Sequence, residues 1–73
     1  MTEGEHRVGV SFSPSGDARV DEIKRGTAKL IDGLAQIAND REHPGARCAA
    51  LAMTEYEAAA MWAEKAVTKR AKD

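Results

Sequence analysis

Phe12, the Ser13-Pro14-Ser15-Gly16 turn, Lys24 and Thr27 fall in one stretch that leads into a helical pattern. Free amides at a helix start attract anions. A lysine adds a point charge for phosphate, a threonine hydroxyl can donate a hydrogen bond, and an aromatic ring can stack on a base. Together these residue types point to a ligand that carries both phosphate and base. The competing reading makes Phe12 a core residue and Lys24 a solvated one.

Chemistry that breaks bonds finds little support. Cys48 has no histidine at a useful offset and sits in an apolar helical run, so it reads as a small core residue. Glu55 and Glu57 lie two apart on a helix and point in different directions. His6 and His43, the only histidines, are not at ligand spacing. No Walker loop or dinucleotide fingerprint is present. His43, next to Pro44, reads as a loop or capping residue. The expectation is therefore no enzyme, no metal and no cofactor.

The elements that must position the first group follow from pattern and composition. At 73 residues the chain has room for one domain. A domain of this size buries only about 60–65% of its unfolded surface and usually needs a staple or a partner. A single cysteine excludes an internal disulfide, which leaves self-association. Hydrophobic residues at 42% and charged residues at 32% indicate a globular chain. A net charge of −1 argues against DNA or RNA as partner. No apolar run is long enough for a bilayer, and the first residues carry no signal-peptide core, so the sequence predicts a cytoplasmic protein.

Residues 1–6 are polar and expected to fray. Residues 7–12 alternate in period two, with Val8, Val10 and Phe12 on one side, and read as a short extended arm. After the Ser-Pro-Ser-Gly-Asp turn, a helix is predicted over about 17–39, capped by Asp17 or Ser15. Its apolar stripe is Val20, Ile23, Thr27, Leu30, Ile31, Leu34 and Ala38, with Lys24, Arg25, Lys29 and Asp32 on the flanks. Gly26 and Gly33 interrupt it, where helical glycines often permit close approach of another backbone or a ligand. Pro44 suits the first turn of a second helix over about 45–69, whose cationic end complements the helix dipole. The fold class is all-α: an antiparallel two-helix hairpin with a short extended N-terminal arm.

The second helix has two apolar sides. At about 100° per residue, Leu51, Ala58 and Trp62 share one, and Met53, Tyr56, Ala60, Ala63 and Val67 lie roughly opposite. A hairpin needs one such stripe, so the other implies a homo-oligomer. A protein-interaction module, such as an antitoxin or small inhibitor, would use the same two faces.

The segments Val10-Ser-Phe-Ser-Pro-Ser-Gly-Asp, Val20-Asp-Glu-Ile-Lys24 and Ala28-Lys-Leu-Ile-Asp32 form the first half of a resemblance. Ala46-Arg-Cys-Ala-Ala-Leu-Ala-Met-Thr-Glu-Tyr-Glu57 and Ala59-Ala-Met-Trp-Ala-Glu-Lys-Ala66 form the second. Residues 8–68 resemble the helical-hairpin domain of phage anti-defence sponge proteins, which counter CBASS and Thoeris immunity by sequestering cyclic nucleotides. The resemblance implies a homo-oligomer, typically a hexamer, acting in the cytoplasm of an infected bacterial host. It would bind cyclic dinucleotides between protomers without cleaving them. The positions implied for that ligand are Phe12, Pro14, Lys24 and Thr27; for a separate cyclic trinucleotide pocket they are Gly45 and Arg47. The Thoeris activity is less expected than the CBASS one for a chain consisting of this hairpin.

Overall fold

The computed structural model describes residues 1–9 and 17–69. Helices α1 (Glu3–Val8), α2 (Ala18–Ala38) and α3 (Ala46–Thr68) follow one another, with no strand among the described residues. α2 and α3 form an antiparallel pair some 30–35 Å long, and α1 lies against them.

The first helix corrects the sequence reading at its N-terminus. Where fraying and then an extended arm from Arg7 are expected, residues 3–8 are helical. The remainder of that arm, 10–12, lies outside the described residues. The cause is a capping box. Thr2 Oγ1 accepts from the Glu5 amide at 3.1 Å, and the Thr2 amide donates to Glu5 Oε1 at 2.9 Å. Arg7 pairs with Glu3 one turn back at 3.0 Å. Gly9 closes the helix in the left-handed region at φ 74°, its amide donating to the Glu5 carbonyl at 3.0 Å.

α2 starts where Asp17 accepts the Arg19 amide at 2.8 Å. That bond holds the Asp17 carboxyl below its ordinary pKa. α3 has no side-chain cap at Gly45. His43 organises its approach instead: Nδ1 accepts from the Gly45 amide at 2.9 Å and the carbonyl accepts from Ala46 at 3.1 Å. Pro44 therefore precedes the helix rather than opening it.

The core is a seam between α2 and α3. Val20, Lys24, Ala28 and Ile31 are buried on α2; Ala49, Met53 and Ala60 are buried on α3. Relative to the predicted stripe the buried line is rotated toward Lys24 and Ala28. Leu30 is left 52% exposed, and Ile23, Thr27 and Leu34 are half-buried. α1 accounts for the shift, because it covers that flank of α2: Gly4 lies on the main chain of Ala28 and its amide bonds Asp32. Cys48, expected in the core, is exposed.

On α3 the two apolar sides separate as their spacing implies. Met53 and Ala60 face α2, while Leu51, Ala58 and Trp62 are exposed, with Tyr56 at the margin. The molecule is 52 × 23 × 14 Å, one layer of helices thick, and no other helix among the described residues covers the outer side of α3.

Candidate functional site

Lys24 is the one buried charged residue among the described residues, 6% exposed where the stripe places it on a flank. It is partnered rather than free. Nor does any buried side-chain nitrogen or oxygen among the described residues lack a hydrogen bond. Thr27 stands three residues on, next to it on the helix surface, and is half-buried. Of the four residues expected at a dinucleotide site, the fold thus brings together Lys24 and Thr27. Phe12 and Pro14 lie outside the described residues.

Heights along the hairpin show what else shares this level. Ala38 and Ala46 flank the connecting loop, so residues of α2 and α3 whose numbers sum to about 84 lie side by side. Ala60 is the counterpart of Lys24, and Glu57 that of Thr27. A methyl group opposite Lys24 leaves space for its four-carbon stem beside the seam.

α1 sits at the same end. The Gly4 amide donates to Asp32 Oδ1 at 2.7 Å, and the Gly4 Cα rests on the main chain of Ala28. A Cβ at that position would overlap the Ala28 carbonyl group, so only glycine fits. Three residues later, Arg7 Nη1 pairs with Glu57 Oε1 of α3 at 3.4 Å. Between α1 and α2 runs an open groove of about 430 Å³, lined by Glu5, Arg25, Gly26, Ala28, Lys29 and Asp32. Sequence reasoning missed α1 and its contacts. The available signal was Thr2-Glu3-Gly4-Glu5, a capping-box pattern followed by a glycine after a single turn and a half.

The close approach expected at Gly26 and Gly33 is not made within the protomer: a Cβ at either would meet nothing within 4 Å. Gly4 is where backbone meets backbone.

The residues expected at a trinucleotide pocket lie at the other end. Gly45 is the half-buried residue before α3, and Arg47 is exposed in its first turn. A Cβ on Gly45 would stand 4.0 Å from Ile37, and Ile37 is thirteen residues, about 20 Å, along α2 from Lys24. Within a protomer these are two separate places. Among the described residues, no helix is long and apolar enough to cross a membrane.

Comparison with curated proteins gives no match, and neither does comparison with solved structures. Residues 3–68 match the family described as Acb2/Tad1, hairpin domain. That span takes in α1, both long helices and every site position named above, and the chain belongs to this family of anti-CBASS and Thoeris sponges.

Proposed function

We propose that this protein sequesters cyclic oligonucleotide second messengers without cleaving them and so blocks CBASS-like immune signalling in an infected bacterial cell. Cyclic dinucleotides are held by Phe12, Pro14, Lys24 and Thr27, and cyclic trinucleotides by Gly45 and Arg47. The working form is a homo-oligomer, with a hexamer favoured by the family.

The observation that carries the reading is the burial of Lys24 beside Thr27 in a chain whose span 3–68 belongs to a sponge family. A buried lysine brings a fixed positive charge to the seam, which packing alone does not require. A phosphate oxygen adds a charged acceptor to the partners Lys24 already has, and the Thr27 hydroxyl can donate to a second oxygen. The outer side of α3, with Leu51 55%, Met61 65% and Trp62 69% exposed, supports assembly.

The mechanism is mass action. A sponge must bind the messenger more tightly than the immune effector does and exceed it in number. Pockets formed in a rigid oligomer favour this, because little ordering cost remains on binding.

Native mass spectrometry with a panel of cyclic di- and trinucleotides tests the reading. A discrete oligomer gaining whole numbers of intact ligand is expected, and Lys24→Ala should abolish dinucleotide uptake while keeping the oligomer. A discrete oligomer that takes up no nucleotide overturns the proposal and moves the search to protein partners.

A further inference from the structure

We propose that α1 is a positioning element for Lys24, fastened by Gly4 and Asp32 at one end and by Arg7 and Glu57 at the other. The inference rests on the dinucleotide reading of Lys24. A six-residue helix is not stable alone, so its tertiary contacts hold it in place. Those contacts also fix its direction. Gly4 lies over Ala28 with its amide on Asp32, whereas Arg7 reaches Glu57, the residue level with Thr27. α1 therefore descends α2 from Asp32 toward Lys24 and brings Val8 and Gly9 to the turn that carries it.

The two fastenings differ in what they restrain. The Gly4 contact sets the depth of α1, because backbone rests on backbone with no side chain between them. The Arg7–Glu57 pair links α1 to α3 as well, which favours its end staying on the seam. Side chains that touch no ligand then decide whether the ammonium group is held in the seam or released to solvent. Asp32 serves through its acceptor oxygen, which an asparagine would also offer, so charge is not the requirement.

The test reads Lys24 with and without ligand. Intact protein is acetylated with a water-soluble succinimidyl ester and each lysine's rate is taken by peptide mapping. In parallel, affinity for 3′,3′-cyclic GMP–AMP and cyclic di-AMP is measured by calorimetry. In the parent protein Lys24 should react at least tenfold more slowly than the exposed Lys29 and Lys69. In Gly4→Ala and Asp32→Ala its rate should approach theirs and affinity should fall at least tenfold, with helix content lowered by no more than the six residues of α1 and oligomer mass unchanged. Arg7→Ala, the mildest variant and one that must fold, should move both readouts in the same direction. Asp32→Asn should restore slow labelling and tight binding together. Slow labelling and parental affinity in Arg7→Ala and Asp32→Ala would overturn the inference while leaving the sponge reading standing. Slow labelling of Lys24 in a parent protein that binds neither nucleotide would overturn the dinucleotide reading of Lys24 and this inference with it.

Discussion

Trp62→Ala separates assembly from folding. Trp62 is 69% exposed in the protomer, so its removal leaves the α2–α3 seam intact. A tryptophan side chain can bury about 150–250 Å², which puts roughly 150 Å² of it on the open side of α3. At about 25 cal/mol per Å², covering that surface contributes about 4 kcal/mol per contact. Alanine retains a small part, leaving a loss of about 3 kcal/mol, or on the order of 100-fold in each association constant. The assay is mass against protein concentration, by light scattering and native mass spectrometry. The variant should dissociate at a protomer concentration at least tenfold higher than the parent. An unchanged mass profile down to the lowest measurable concentration would refute the assignment of this face to the assembly.

Ile31→Ala should act on folding instead. Ile31 is fully buried in the seam, and truncation should cost about 2–5 kcal/mol in urea unfolding. Gly33→Ala should stabilise by about 1 kcal/mol in the same assay, because the position is helical and a Cβ there meets nothing. Asp17→Ala should lower the melting temperature, whereas Asp17→Asn should keep most of it, since both Asp and Asn cap well. The Asp17 carboxyl is depressed by the Arg19 amide, so its contribution is full above the ordinary value of 3.8 and lost as pH falls through the folded-state value. Melting temperature measured from pH 6 to pH 2 should show a step below pH 4 that Asp17→Asn lacks.

Both long helices were legible because their signals are local. Asp17 after a turn, apolar residues at three and four, and a Pro-Gly loop define them with no tertiary information. The two sides of α3 were legible for the same reason, since rotation about one axis is read directly from spacing. The rotation of α2 was not. Spacing ranks Leu30 above Lys24 as a core residue, and only tertiary packing reverses that order, α3 covering one flank of the buried line and α1, seated on Ala28 and Asp32, the other. Cys48 fails likewise: apolar neighbours in sequence do not say which of them meets the seam. α1 is a third kind of miss. Alternation at Val8, Val10 and Phe12 suggests an extended chain, but the Thr2–Glu5 capping box and the Gly4–Asp32 bond hold residues 3–8 as a helix. The latter partner is twenty-eight residues away. At the candidate site, Lys24 and Thr27 could be paired from spacing alone, while the burial of Lys24 required the fold.

The placement of the two groups of residues constrains how ligand capture and assembly relate. Lys24 lies in the seam between α2 and α3, whereas Trp62, Leu51 and Met61 stand on the outward side of α3. Ala60, level with Lys24, and Trp62 are two residues apart, about 200° around the helix. One turn of α3 thus backs Lys24 with one side and offers a tryptophan with the other. Enlarging the inner residue, as in Ala60→Leu, should push the Lys24 stem from the seam and weaken dinucleotide binding without removing the outer contact. Trp62→Ala should do the reverse at protein concentrations where the oligomer persists. Native mass spectrometry reads both quantities in one spectrum. If Ala60→Leu bound cyclic dinucleotides as the parent does, the inner side of α3 would have no part in holding Lys24.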